Sequence, residues 1–181
     1  RKLTQKLLDD GNEPQTILDE ALTPAMDRVG ALYERQEYFL PEMMASAQSM
    51  QAAMTLLRPL LSAGGSKPAA TAILGTVKGD LHDIGKNVVG MMLEGAGLAV
   101  IDLGPDVAPE TFREAVKEHN PDVVGMSALL TTTQPMMQTT IQVLEEAGVR
   151  DRVKVIIGGP PTSPTYAEEI GADGYAPDAS Q

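Results

Sequence analysis

Cysteine is missing from all 181 residues, which excludes a disulfide framework, a thiolate zinc site and a cysteine-held iron–sulfur cluster within the chain. Histidine is scarce, with 2 copies, so metal chemistry must rest on an imidazole, on carboxylates or on a prefabricated cofactor. Basic residues are the minority: 14 Lys and Arg stand against 25 Asp and Glu, for a net charge of −11 and a pI near 4.5. Phosphate backbones and anionic bilayers repel such a chain, which argues against nucleic acid and membrane as partners. The sequence has no apolar run of membrane-spanning length and no visible signal peptide, and a cytoplasmic location is expected.

What is present divides in two. Ser62-Ala63-Gly64-Gly65-Ser66-Lys67-Pro68 combines flexible and helix-breaking residues in the manner of a linker, so a domain boundary is expected between residues 66 and 67. Upstream, Thr23-Pro24 reads as an N-cap followed by proline at the first helical position, with Met26, Val29, Leu32 and Tyr33 recurring at helical spacing. Leu40-Pro41 starts a longer helix, whose apolar stripe carries Leu40, Met43, Met44, Ala47, Met50, Met54, Leu57 and Leu61. Residues 1–66 therefore read as a small helical bundle.

Downstream, hydrophobic runs at 71–77, 98–103, 122–127, 153–157 and 174–175 alternate with helix-length segments at 85–96, 109–119, 134–147 and 164–170. Such alternation predicts right-handed crossovers and an α/β domain, a flavodoxin-like, Rossmann-like parallel sheet of five strands in the order 2-1-3-4-5. In that order the topology reverses between the first and third strands, so the loops after Val77 and Met126 should face a common crevice.

Those two loops hold the unusual residues. The first contains Asp80-Leu81-His82-Asp83-Ile84-Gly85, an imidazole beside a carboxylate at a carboxyl strand edge, which suits a metal ligand. The second, Ser127-Ala128-Leu129-Leu130-Thr131-Thr132-Thr133, is rich in hydroxyls. The fourth strand ends in Gly158-Gly159, where missing side chains admit a close approach to the backbone. His119 has no comparable context, and the methionine stripe reads first as core packing.

Asp80-x-His82-x-x-Gly85, followed by Ser127-x-Leu129 and Gly158-Gly159, resembles the cobalamin-binding domain of methionine synthase and of the corrinoid proteins of methyltransferase systems. Leu32-Tyr33-Glu34 and Glu37-Tyr38-Phe39-Leu40-Pro41-Glu42 resemble the four-helix cap that precedes that domain in methyl-transferring members. The resemblance implies cobalamin or a related corrinoid, cycling between methylcobalamin and cob(I)alamin. It would be bound base-off and His-on, with His82 as the cobalt ligand. Asp80 would accept a hydrogen bond from the far ring nitrogen, and Thr133, in the place of the family's serine, would complete the relay with its hydroxyl. Asp83, Ile84 and Gly85 belong to the same cofactor-contacting motif. Ser127 and Leu129 would line the tail pocket, Thr131 would stand near the corrin edge, and Gly158 and Gly159 would lie against the buried nucleotide tail. Tyr175 and Ala176 resemble the last tail-contacting loop. Phe39 is the candidate for shielding the upper face, with Met43, Met44 and Met50 as an adaptable apolar surface around it. The family's final helix is expected beyond Gln181.

The expected function is a corrinoid methyl carrier, one component of a transferase system. It would serve a substrate-specific methyltransferase and an acceptor methyltransferase of the tetrahydrofolate or coenzyme M type, with a reductive activator as a further partner. Methylamines, methanol, methoxylated aromatics and betaines are all open as donors. Two other readings stand beside it: a cobalamin-binding sensor or regulatory domain, which would need an output domain, and the cobalamin subunit of a mutase, against which the cap argues.

Overall fold

The computed structural model of the chain describes residues 1–63 and 68–179. The expected boundary between 66 and 67 therefore lies outside the described residues. The chain divides into two compact units, one of Arg1–Ala69 with Met91–Leu98, the other of Ala70–Gly90 with Ala99–Ala179.

The first unit is helical: α1 (Lys2–Asp9), α2 (Pro14–Ile17), a π-helical turn (Leu18–Leu22), α3 (Thr23–Glu34) and α4 (Leu40–Ala63). α3 starts at Thr23 as expected, but Thr23 is not its N-cap, a place taken by Leu22. Thr23 has helical dihedrals and donates its N–H to the Leu18 carbonyl, five residues back. The wider π turn lets the chain carry helix past Pro24, whose ring would otherwise crowd the preceding turn. At α4 the expected start holds, and the Glu42 carboxylate reaches back to the Phe39 N–H at 3.0 Å, one half of a capping box. The α4 stripe is core: Ala47, Met50, Met54 and Leu57 are buried with Ile17, Leu18 and Met26, and Met91 and Met92 pack against them. Met43 and Met50 are buried, so neither presents the adaptable surface expected of it. Their apolar side chains are satisfied inside the unit.

The second unit is an α/β sandwich. Strands β1 (Thr71–Thr76), β2 (Ala99–Asp102), β3 (Val123–Ser127), β4 (Lys154–Gly158) and β5 (Gly174–Ala176) form one sheet in the expected order β2-β1-β3-β4-β5, every pair parallel. The connecting helices are α5 (Ile84–Gly95), α6 (Pro109–His119), α7 (Pro135–Glu146) and α8 (Pro164–Ile170). The last three place proline in their first turn, where its missing N–H has no intrahelical partner to lose. α6 ends on Asn120 and α8 on Gly171, both left-handed.

β1 and β3 are central and nearly continuously apolar, as strands covered on both faces must be. Glycines in them make room for large neighbours: a Cβ at Gly75 would stand 2.5 Å from the ring of Phe112, and one at Gly125 would stand 2.5 Å from Leu74. Phe112 is fully buried with Val116, Met137, Ile141 and Leu144. Burial of that ring contributes roughly 1.5–3 kcal/mol and holds α6 on the sheet, so the carboxyl ends of β1 to β4 form a rigid rim.

Candidate functional site

Asp80 joins the two central loops. It is fully buried at 0% exposure, at the end of a turn in which its N–H donates to the Val77 carbonyl. Its Oδ2 accepts the N–H groups of Leu129 at 2.8 Å and Leu130 at 3.2 Å, and the Thr133 hydroxyl at 2.7 Å. Its Oδ1 accepts the His82 N–H at 3.1 Å and meets His82 Nδ1 at 2.7 Å. Burial pushes this carboxyl toward neutrality. The bonds from Thr133, Leu129 and His82 outweigh that penalty and hold its pKa well below the usual carboxylate range. The loops after β1 and β3 thus meet across the switch point between those strands, as their order requires.

The arrangement gives His82 one tautomer. An ionised carboxylate only accepts, so the proton of a neutral ring sits on Nδ1 and the lone pair on Nε2. The His82 carbonyl is held as well, by the Thr76 hydroxyl at 3.1 Å. The imidazole side chain is 54% exposed although its carboxylate partner is wholly buried. Thr133 is buried; its single hydroxyl proton goes to the carboxylate, the shorter and charge-assisted of its contacts, rather than to the Leu130 carbonyl at 3.0 Å. Its methyl group, absent from a serine, lies 3.5 Å from where a Cβ of Gly79 would be.

The surroundings suit a large, mostly apolar metal macrocycle. Leu81 is 72% exposed, Ile84 64%, and Leu129 and Leu130 40% each, so four apolar side chains face outward on the two loops that hold His82. A Cβ at Gly85 would meet nothing within 4 Å; the fold itself makes no demand for glycine there. Among the described residues there is no cluster of three or more His, Cys, Asp or Glu that would hold a bare metal ion. A single imidazole with an oriented lone pair is the donor set for a metal that brings its other ligands with it.

The remaining expected residues are distributed around this centre. Asp83 supplies the carbonyl that accepts the first α5 bond, from Asn87 at 2.8 Å. Ser127 closes β3, its carbonyl accepting the Val77 N–H at 3.0 Å, and Thr131 is exposed on the same loop. Gly158 pairs with Ser127 on one side and Ala176 on the other. Gly159 has a reason within the fold: its φ is +117°, and a Cβ would fall 1.9 Å from the Ala128 carbonyl oxygen. Tyr175 and Ala176 lie half-buried on β5. Phe39 belongs to the helical unit and is 64% exposed.

Several residues that brace the rim escaped sequence reasoning. Asp106, at φ +56°, accepts the Gly79 N–H at 2.8 Å and the Lys78 ammonium at 3.1 Å; the Gly79 bond and then Lys78 hold its carboxyl below the ordinary range. Lys86, its side chain 3% exposed, pairs with Asp102 and donates to Asn87 at 2.8 Å. On the other side, the Gln134 amide donates to the Pro161 carbonyl at 2.7 Å, and the Tyr166 hydroxyl donates to the Gln134 carbonyl at 2.9 Å. None of these positions carries a local signal beyond a polar residue near a strand end, because apart from Lys86 to Asn87 each bond spans elements distant in sequence.

Residues 70–181 match the family model described as B12 binding domain, and residues 1–58 match a second model with the same description. The chain belongs to the B12-binding domain family. It is 45% identical over 170 residues to dimethylamine corrinoid protein 2 of Methanosarcina acetivorans, covering 93% of this chain and 79% of that protein. With a corrinoid protein of Desulfitobacterium hafniense it shares 40% identity over 97% of this chain and 82% of the relative. Among solved structures it is similar to a cobalamin-binding protein from Desulfitobacterium hafniense, with a TM-score of 0.83, 35% identity, and coverage of 99% of this chain and 85% of that one. It also resembles the methanol:cobalamin methyltransferase complex MtaBC from Methanosarcina barkeri, with a TM-score of 0.85, 30% identity, and coverage of 97% and 67%. The fold expected from the alternation of strands and helices, a 2-1-3-4-5 sheet preceded by helices, is the one this family member has.

Proposed function

We propose that this protein is a corrinoid-binding methyl carrier, the corrinoid component of a methyltransferase system. The observation that carries the reading is the buried Asp80 carboxylate, bonded at once to His82 Nδ1 and to the Thr133 hydroxyl. In this reading residues 1–66 form a cap domain and residues 67–181 the cobalamin-binding domain. Relatives named for dimethylamine, and solved structures named for monomethylamine and methanol, support small methylated amines and alcohols as the class of methyl donor. They support the carrier reading over the sensor and mutase readings too.

Bound here, the corrinoid supplies a cobalt centre that accepts a methyl group from one methyltransferase and yields it to a second. His82 would hold the metal through Nε2, and Asp80 keeps that lone pair available by retaining the proton on Nδ1. The Asp80 carboxylate, wholly buried and 2.7 Å from Nδ1, also fixes the orientation of the ring. Whenever His82 is released, Nε2 can take up a proton from solvent while Nδ1 keeps its own against the Asp80 carboxylate, which the Thr133 hydroxyl supports from its other oxygen. Leu81, Ile84, Leu129 and Leu130 exclude water from the imidazole once covered. Ser127, Leu129, Gly158, Gly159, Tyr175 and Ala176 are assigned to the nucleotide tail, Asp83, Ile84, Gly85 and Thr131 to the macrocycle's edge, and Phe39 to its upper face. The acceptor is proposed as a tetrahydrofolate- or coenzyme M-type methyltransferase, with a reductive activator restoring oxidised cofactor, and the location as cytoplasmic.

The test is an ultraviolet–visible spectrum of the protein after incubation with hydroxocobalamin and desalting, recorded beside His82→Ala. The expected result is retained corrinoid with a spectrum that changes on the substitution. Folded protein that retains none would overturn the reading.

A further inference from the structure

We propose that Asp106 is a positioning residue for His82, acting through the hinge at Gly79; the proposal rests on His82 being the ligand. The segment that bears His82 leaves β1 at Val77 and enters α5 at Ile84. Its far end is fixed by the helix and by the buried Lys86 ammonium, which pairs with Asp102 at the end of β2. Asp102 also accepts the Gly104 N–H at 2.8 Å, so that anchor is tied to the next loop. The near end is different. Gly79 has φ +84°, a conformation in which glycine is free to swing and which does not hold its position unaided.

Asp106 occupies that joint with three bonds. Its Oδ1 accepts the Gly79 N–H at 2.8 Å, its Oδ2 accepts the Lys78 ammonium at 3.1 Å, and its own N–H donates to the Asp80 carbonyl at 2.9 Å. Asp106 is thereby bonded to Gly79 itself and to the residue on each side of it, Lys78 and Asp80, the second being the carboxylate residue that orients the imidazole. Its backbone is itself left-handed, at φ +56°, a conformation that aspartate reaches more readily than most residues other than glycine and asparagine. The loop is docked on β1 through the Val107 N–H to the Thr76 carbonyl at 2.9 Å and the Thr76 N–H to the Gly104 carbonyl at 3.0 Å. The neighbouring strand's loop therefore carries the brace into place and holds residues 78–80 where His82 meets Asp80.

Two substitutions separate the side chain from the backbone. Asp106→Gly relieves the left-handed conformation and removes the acceptor; Asp106→Asn gives up the exposed Lys78 pair but keeps an acceptor for the Gly79 N–H and the tolerance for positive φ. In the cofactor-free protein, Asp106→Gly is expected to speed Gly79 amide exchange about tenfold, the loss of one charge-assisted bond. It should also broaden or shift the His82 Nδ1–H resonance, while Asp106→Asn stays close to wild type in both. With hydroxocobalamin, the glycine variant should retain corrinoid but show a smaller His82-dependent spectral fraction. A glycine variant that matches wild type in the His82 resonance overturns the proposal, as does an asparagine variant that fails with it. Loss of corrinoid retention by the wild type would instead overturn the carrier reading, and the cofactor-free signals would still decide the role of Asp106.

Discussion

Replacing Asp80 by asparagine changes one atom and should disturb both stability and the histidine tautomer. The carboxylate accepts five bonds, three on Oδ2 and two on Oδ1. An amide can accept on one side only. Placed to satisfy Leu129, Leu130 and Thr133, its NH2 faces the His82 N–H and ring, so one buried N–H loses its partner and the remaining bonds lose their charge assistance. Leaving that donor unsatisfied costs about 1–3 kcal/mol, and weakening the others brings the total to about 3 kcal/mol. At a urea m-value of about 2 kcal/mol per M, the midpoint falls by about 1.5 M. Because the new NH2 only donates, Nδ1 must give up its proton and Nε2 must take it, which removes the lone pair a metal would use. A long-range nitrogen–proton spectrum of the free protein reads that switch directly. The pH dependence has a definite sign. The folded pKa of Asp80 lies below its ordinary value of 3.8, so its contribution is fully present above that value and is lost as pH falls toward the depressed one. Asparagine does not titrate, so the gap between the proteins should narrow by about 1 kcal/mol on going from pH 7 to about pH 3. A gap that stays constant over that range, or an unchanged tautomer, would refute the assignment of Asp80 as the ionised centre of the network.

Thr133→Val removes the donor to the buried carboxylate and should cost about 1–3 kcal/mol by urea denaturation. Thr133→Ser keeps the hydroxyl and loses only a methyl near Gly79, so a cost below about 1 kcal/mol is expected. The glycines divide by cause. Gly159→Ala meets both a φ of +117° and a backbone oxygen at 1.9 Å, and a loss of roughly 3 kcal/mol should lower the melting temperature by about 6–12 °C. Gly85→Ala touches no protein atom; it should leave melting unchanged within about 2 °C while weakening corrinoid retention in an equilibrium binding titration.

Much of the fold was legible in the sequence because it rests on signals within one element. Apolar runs of strand length bounded by glycine and proline located all five strands to within a residue or two, since a central parallel strand must be apolar on both faces. Helix-length, partly amphipathic runs between the strands marked α6 to α8 for a similarly local reason. The alternation of strands and helices pointed to a doubly wound parallel sheet, and the flavodoxin-like order expected for it is the one observed. Local signals also failed locally. Thr23-Pro24 has the pattern of a helix start, yet the chain passes through it by a π turn, because the apolar side chains on either side are buried in one cluster and burial outweighs a capping preference. Helix α1 has no strong start signal and was not anticipated.

The motif Asp80-x-His82, read at a switch point, was enough to determine which residues form the centre, because the spacing lets a carboxylate turn back on a ring two residues later. That a hydroxyl from the third strand's loop would join them was implied by the family resemblance alone, and Thr133 does bond to Asp80. The sequence could not decide what holds that centre still. Asp106, Lys86, Asp102, Gln134 and Tyr166 act across gaps of 16 to 32 residues, and a polar side chain near a strand end looks the same whether or not a partner comes to meet it. Only the sheet, by setting the carboxyl ends of β2, β1, β3 and β4 side by side, turns those separate residues into one braced rim.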